Sequence, residues 1–288
     1  AVANEEQARR FKGRWAAMAI TEPGAGSDAA NIRTTAVLDG DHYVLNGEKI
    51  FVTAGARADL IVVWATLDPS AGRAAIKSFV VEKGTPGCVL VRLDHKLGIR
   101  ASDTATIQLS DCRVPKENLL GSPIVDTKQG FGGVMQTFDN TRPVVAAMAV
   151  GVGRASLERT RELLRKRGIL GGYERALYGS TAAEAELYRM EADLEAARLL
   201  TLKAAWLADN GIPNSKEASM AKAKAGRVAS HITLRCLQLC ASVGATETEL
   251  LEKWARDSKI LDIFEGTQQI QLLIIARRLL GKSSQELR

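Results

Sequence analysis

The hydrophobic pattern of this chain changes period once, close to residue 130, and that change limits the folds open to it. Before it, short apolar runs alternate with turn residues. The runs are Thr34 to Leu38, His42 to Leu45, Glu48 to Thr53, Leu60 to Thr66, Ile76 to Glu82, Cys88 to Leu93 and Thr104 to Leu109. Between them lie Asp39-Gly40, Asn46-Gly47, Asp68-Pro69-Ser70, Gly84-Thr85-Pro86-Gly87 and Gly98. Asn-Gly between apolar runs is a strong hairpin signal. Several short strands at this spacing predict an antiparallel β-barrel or sandwich. The segment 121–130 breaks the pattern, and from Phe131 the period becomes helical. Helices are expected over about 131–166, 181–209, 215–244 and 248–264, with a last one from 268. In the second, Leu187, Met190, Leu194, Ala197 and Thr201 recur on one face. Long helices of this kind make an up-down bundle. The fold class expected is therefore α+β. Residues 1–14 read as the remnant of a preceding helical domain, 15–128 as a β-barrel middle domain and 129–288 as a C-terminal helical bundle.

Composition excludes several function classes. The chain is 46% hydrophobic and 25% charged, ordinary values for a soluble protein. No apolar run is long enough to span a membrane, and the start AVANEEQARRF has no apolar signal core, so the expected location is cytosolic. Cys88, Cys112, Cys236 and Cys240 form no CxxC pair and read as small buried thiols. His42, His95 and His231 lie far apart and give no metal-ligand pattern. A net charge of +6 permits an anionic ligand, but no basic tail or aromatic-laced basic stripe argues for nucleic acid.

Two stretches carry candidate chemistry. Thr21-Glu22-Pro23-Gly24-Ala25-Gly26-Ser27-Asp28 is rich in small residues, so its backbone can approach a ligand closely. Gly24 to Ala29 also fits the dinucleotide fingerprint G-x-G-x-x-A. That fingerprint needs a helix opening on it, and strand-like residues follow instead, so the Rossmann reading is rejected. The second stretch is Ile263-Phe264-Glu265-Gly266-Thr267-Gln268-Gln269-Ile270-Gln271. Gly266 interrupts one helix and Thr267 can cap the next, whose apolar stripe is Ile270, Leu273, Ile274 and Leu280. Glu265 at such a break can point into a cleft as a base. The N–H groups of Thr267 to Gln269 head a helix and can receive an anionic or carbonyl-bearing ligand. Taken alone, a glutamate in the last turn of an ordinary helix is the simpler reading.

Four ordered motifs together resemble the acyl-CoA dehydrogenase family, over almost the whole chain. They are Ala19 to Asp28, Lys49-Ile50-Phe51-Val52-Thr53, Phe138-Asp139-Asn140-Thr141-Arg142-Pro143 and Ile263 to Gln271. The resemblance implies FAD as cofactor. It sets Ala19, Ile20, Thr21, Gly26 and Ser27 beside the flavin, with Thr21 bonding the ring and Ser27 near the pyrophosphate and substrate. It sets Phe51 and Val52 against the flavin face, Phe51 where tryptophan is common, and Thr53 at N5. It implies CoA contacts for Asp139 and Arg142, the catalytic base for Glu265, the thioester beside Gly266, and cofactor contacts for Thr267 and Gln269. Arg167 and Gln238 match residues that reach a neighbouring subunit's FAD. The phenylalanine expected after Arg167 is absent, the glycines expected after Gln238 are absent, and Leu272 stands where arginine is common. The family chemistry is α,β-dehydrogenation of an acyl-CoA thioester. A carboxylate in an apolar cleft is desolvated and becomes a stronger base. Fixed N–H donors stabilise the enolate-like oxygen, and FAD accepts the hydride. The implied partners are acyl-CoA, an electron-transfer flavoprotein and a homo- or hetero-tetramer; in a eukaryote the implied place is the mitochondrial matrix. The alternative implied is a non-catalytic or half-catalytic subunit that completes a partner's FAD site. Such enzymes begin with a helical domain before the TEPGAGSD loop, so the chain reads as lacking its N-terminal part.

Overall fold

A computed structural model of the chain describes residues 3–125, 132–169, 177–283 and 286. The expected helix start at Phe131, residues 126–130 of the expected break and the stretch from Leu170 to Gly172 lie outside the described residues. The chain divides into two compact units. The first holds Ala1–Lys96 and Arg100–Met135, and the second Leu97–Ile99 and Gln136–Arg288.

The first unit is built on eight strands: β1 (Ala16–Ala19), β2 (Thr35–Asp39), β3 (His42–Thr53), β4 (Leu60–Thr66), β5 (Ile76–Glu82), β6 (Cys88–Leu93), β7 (Thr104–Pro115) and β8 (Leu119–Leu120). They form one sheet in the order β6-β7-β3-β2-β4-β5-β8, with β1 paired to β4. The sheet is mixed and does not close. β1 and β2 run parallel to β4, and every other pair is antiparallel. The antiparallel part of the expectation holds for most of the sheet; the parallel pairs depart from it. Alternation of polar and apolar residues does not encode strand direction. The continuous apolar run of β4 does hint at it, because a strand with parallel neighbours is usually covered on both faces. The core is made by Leu45, Val52, Val63, Phe79, Ile107 and Leu109, with Tyr43 edge-on to Phe79 at 5.0 Å.

The Asp39-Gly40 turn joins β2 to β3 as a hairpin, with Gly40 at φ +61°. The Asn46-Gly47 hairpin does not form. β3 runs through it, with a register shift against β7 between Leu45 and Gly47. Gly47 has φ +151°, and a Cβ there would stand 2.4 Å from Thr34 Oγ1, so the glycine serves a bulge and a close approach. Asn46 is occupied across the ladder, where its Oδ1 accepts from the Asp111 N–H at 2.8 Å. Helix α1 (Glu5–Phe11) also belongs to this unit. Gln7 Nε2 donates to the carbonyl oxygens of Glu117 (2.8 Å) and Leu119 (2.7 Å).

The second unit is helical: α2 (Gly132–Arg165), α3 (Ala182–Asp209), α4 (Ser215–Leu239), the short α5 (Ala241–Gly244), α6 (Leu251–Ser258) and α7 (Gln268–Leu280). The expected helix over 215–244 is interrupted at Cys240, where Ala241 takes φ +51°. The one expected over 248–264 ends as an α-helix at Ser258 and tightens into a 3₁₀ turn over Lys259–Asp262. Leu157, Leu187, Met190, Ile232 and Leu251 form one core cluster, and small residues such as Ala149, Ala197, Ala221 and Ala229 form another. Small side chains there let helix backbones approach. Among the described residues no helix is long and apolar enough to cross a membrane, and no cluster of His, Cys, Asp and Glu could hold a metal ion. Burial pushes the thiols of Cys112 and Cys236 up to about 12, which makes them poor nucleophiles and ligands.

Candidate active site

Each unit brings together part of the sequence-derived residue set. In the first, the Thr21–Ser27 loop and the end of β3 lie side by side. The Ile50 N–H donates to the Thr21 carbonyl at 2.9 Å. Beneath them is a buried ion pair: Lys49 Nζ lies 2.7 Å from Glu22 Oε1 and donates to the Ile20 carbonyl at 3.1 Å. Glu22 also accepts from the N–H groups of Arg33 (2.6 Å) and Thr34 (3.0 Å). Burial pushes the Glu22 carboxyl up, but Lys49, Thr34 and Arg33 together bring it below the ordinary value. Glu22 and Ala25 exchange N–H···O bonds at 3.1 Å, which closes the loop on itself. Ala19 and Val52 are buried, Ile20 and Thr21 are half-buried, and Gly26, Ser27 and Thr53 are exposed. After the loop comes a 3₁₀ turn over Ala29–Asn31 and then β2, so no helix opens on the glycines.

Phe51 is the unusual residue here. It is 63% exposed and has φ +58°, within a second register shift between β3 and β7 from Lys49 to Val52. A bulky residue in the left-handed region is a genuine outlier. Bulges of this kind re-aim a side chain, often next to a ligand site. An exposed aromatic face on such a bulge suits a flat heterocycle.

The second unit holds Glu265 in the break between the Lys259–Asp262 turn and α7. Glu265 has φ +58° and Gly266 φ +91°. Thr267 caps α7, its side chain accepting from the Ile270 N–H at 3.4 Å. Among the described residues none accepts from the N–H groups of Glu265, Gly266 or Thr267. Thr141 Oγ1, on α2, donates to Glu265 Oε2 at 2.8 Å. Asp139 and Arg142 form an ion pair at 2.6 Å, with the Arg142 side chain only 3% exposed. Burial pulls Arg142 down and pushes Asp139 up, each partly countered by the other. Pro143 removes the N–H that would have bonded the Asp139 carbonyl within α2. Asn214 Nδ2, at the start of α4, lies 3.3 Å from that carbonyl and takes its place. Thr267 is half-buried and Gln269 exposed at the head of α7. Arg167 and Gln238 are exposed, and Arg167 is close enough to lower the Cys240 thiol, which burial raises. Gln238 Oε1 is engaged by Arg235.

Three contributors escaped the motif reading: Thr141, Lys222 and Gln271. Thr141 and Gln271 lie inside quoted motifs but carried no assigned role. Lys222 Nζ donates to the Gly266 carbonyl at 2.8 Å, and Gln271 Nε2 to those of Glu265 (3.1 Å) and Gly266 (3.0 Å). A lysine on the apolar side of α4 was the available signal, since a fully buried lysine needs a partner.

The profile of the acyl-CoA dehydrogenase middle domain matches residues 17–112, and that of the acyl-CoA dehydrogenase C-terminal domain matches 128–280. The chain is 41% identical over 262 residues to the mitochondrial short-chain specific acyl-CoA dehydrogenase of Mus musculus, covering 91% of this chain and 62% of that one. It is 37% identical over 263 residues to the short-chain specific acyl-CoA dehydrogenase of Clostridium acetobutylicum, covering 91% and 68% respectively. The structure of butyryl-CoA dehydrogenase from Megasphaera elsdenii superposes with a TM-score of 0.85 at 34% identity, over 96% of this chain and 72% of that one. The chain thus spans about two thirds of the length of these curated relatives.

Proposed function

Because the chain belongs to the acyl-CoA dehydrogenase family, we propose that it carries out α,β-dehydrogenation of a short-chain acyl-CoA thioester, with Glu265 as the α-proton acceptor. The observation that carries this reading is the left-handed Glu265, presented between helices next to N–H groups that no described residue engages. The Thr141 hydroxyl steadies Oε2 and leaves Oε1 to take the proton. The Cα–H bond breaks, an O–H bond forms on Glu265, and the electron pair moves toward the thioester carbonyl. The Glu265 N–H stabilises the oxygen where that charge develops. The short-chain class follows the names of the relatives.

The residues present fit a flavin. Phe51 offers an aromatic face, and Thr21 and Thr53 offer hydroxyls. Around Gly24 and Gly26 there is nothing within 4 Å of where a Cβ would stand, so a ligand can reach the backbone. Ala19, Ile20, Thr21, Gly26, Ser27, Phe51, Val52 and Thr53 would hold FAD, which would supply the acceptor for the β-hydride. The family resemblance makes Thr267 and Gln269 cofactor contacts as well. Arg167 and Gln238 would serve the FAD of a neighbouring subunit, and Asp139 and Arg142 the CoA part of the substrate. An electron-transfer flavoprotein is the proposed electron sink. Exposed Val144 and Met148 on α2, and Leu272, Leu273, Leu279 and Leu280 on α7, support assembly into a tetramer.

Changing Glu265 to Gln keeps the shape and removes the base. Flavin bleaching by butyryl-CoA in rapid mixing should slow about 10²- to 10⁴-fold, with FAD content unchanged. Bleaching at the original rate would move the base elsewhere. A second reading, a non-catalytic or half-catalytic subunit that completes a partner's FAD site, rests on the missing phenylalanine after Arg167 and the missing glycines after Gln238. FAD retained by the purified full-length protein without any partner would reject it.

A further inference from the structure

Two buried side chains converge on the backbone around Gly266. Lys222 is 1% exposed and Gln271 0%. Lys222 donates to the Gly266 carbonyl at 2.8 Å, and Gln271 Nε2 bridges the carbonyls of Glu265 and Gly266. All peptide bonds described here are trans, so each carbonyl points opposite to the N–H of the next residue. Holding the Glu265 oxygen therefore turns the Gly266 N–H away from Lys222 and Gln271. Holding the Gly266 oxygen does the same to the Thr267 N–H. A non-glycine residue in the left-handed region persists only where its surroundings over-determine it. Here the surroundings are these two side chains. A Cβ on Gly266 would stand 2.5 Å from Gln271 Nε2, so the fit is close.

The choice of lysine needs explaining. Among the described residues Lys222 forms no ion pair within 4.0 Å. A buried ammonium engaged by a single carbonyl is costly, and a neutral donor would hold that carbonyl at lower cost. One turn along the same face, Gly226 lets the chain at Leu261 and Asp262 lie directly on α4; a Cβ there would stand 2.9 Å from the Leu261 carbonyl oxygen. The charged groups whose fields reach Lys222 are Asp262 and Glu265, which favour its charge, and Arg142, which opposes it. An ammonium behind a peptide carbonyl polarises that peptide and strengthens its N–H as a donor on the far side.

We propose that Lys222 and Gln271 are positioning residues for Glu265: by holding the two peptide groups that flank Gly266 they fix the left-handed turn at Glu265, so that its carboxylate and its own N–H meet the thioester together, and Lys222 adds a fixed charge beneath that turn. This rests on the reading of Glu265 as the α-proton acceptor.

The test uses the flavin-loaded full-length protein and the variants Lys222→Met, Lys222→Ala and Gln271→Met, with Glu265→Gln as reference. Two rates are read: flavin bleaching by butyryl-CoA over a range of concentrations, and exchange of α-deuterium from labelled butyryl-CoA into solvent. Lys222→Met should lower both limiting rates about 10- to 100-fold, the range expected for losing a hydrogen bond to a charged group. The half-saturating concentration should stay within about threefold, because the loss falls on the transition state. Adding n-propylamine, which replaces the deleted atoms, should restore part of the Lys222→Ala rate. Gln271→Met should act in the same direction and provides a second route should the Lys222 variants not fold. Folded Lys222→Ala and Gln271→Met proteins that bleach and exchange at the wild-type rate would overturn the proposal. So would a slowed Lys222→Ala that propylamine leaves unchanged. Wild-type protein that bleaches while Glu265→Gln matches it would instead overturn the reading of Glu265.

Discussion

Two lysines of nearly equal burial lie beneath the two motif regions, and they are held in opposite ways. Lys49, 0% exposed, stands in an ion pair with Glu22 and also bonds the Ile20 carbonyl. Burial pulls its ammonium down and Glu22 opposes that shift. Lys222, 1% exposed, donates to the Gly266 carbonyl and has no ion-pair partner among the described residues, and burial takes it down to about 8. The first lysine fastens the Thr21–Ser27 loop to β3 and is neutralised in doing so. The second leaves a charge facing a peptide group. A paired charge is a fastening, whereas an unpaired one is a field available to the chemistry around it.

The largest effect should separate the two lysines by stability. Glu22→Ala strands Lys49 in the interior and should lower unfolding free energy in urea by about 3–5 kcal/mol. Lys222→Met removes a buried charge with no ion-pair partner and should cost less than about 2 kcal/mol. Equal losses would break the comparison. The next effect is in pH. The folded value of Lys222 lies below the ordinary 10.5, so between about 8 and 10.5 the unfolded chain binds a proton that the folded chain does not. The contribution of Lys222 to stability should therefore rise with pH across that window, by roughly 2–3 kcal/mol, and be flat below it. The difference between wild type and Lys222→Met in urea unfolding, taken from pH 7 to 10.5, reads this directly. A difference that does not move with pH would remove the contrast. Gly266→Ala comes third. It strains a residue at φ +91° and pushes a Cβ toward Gln271 Nε2, which should cost about 1–3 kcal/mol and slow flavin bleaching while leaving FAD content unchanged. The smallest effect is that of Thr141→Val. Loss of the hydroxyl at Glu265 Oε2 should cost about 1 kcal/mol in barrier, about fivefold in bleaching rate.

Much of the architecture was readable along the chain, for physical reasons that differ by element. Long amphipathic helices announce themselves because 3.6-residue periodicity is local, and the helix expected over 181–209 is present as Ala182–Asp209. Asp39-Gly40 read correctly as a turn because the chain reverses there by local geometry alone. Asn46-Gly47 did not, because Thr34 presses on Gly47 from a neighbouring strand and the residues were used for a bulge. The motif at Ile263 to Gln271 marked Glu265 as a candidate base, yet it could not reveal which side chains turn its backbone.

The order of residues by itself determined the β-then-helix plan, the family resemblance and the stretches where chemistry belongs, since each rests on neighbours along the chain. Tertiary structure alone decided the parallel pairing of β1 and β2 with β4, the burial of Arg142 and Asp139 as a pair, and the meeting of Thr141, Lys222 and Gln271 at one turn. Those contacts span up to 124 positions in the chain. Residues so far apart are joined only when packing brings their elements together, and no local periodicity records that.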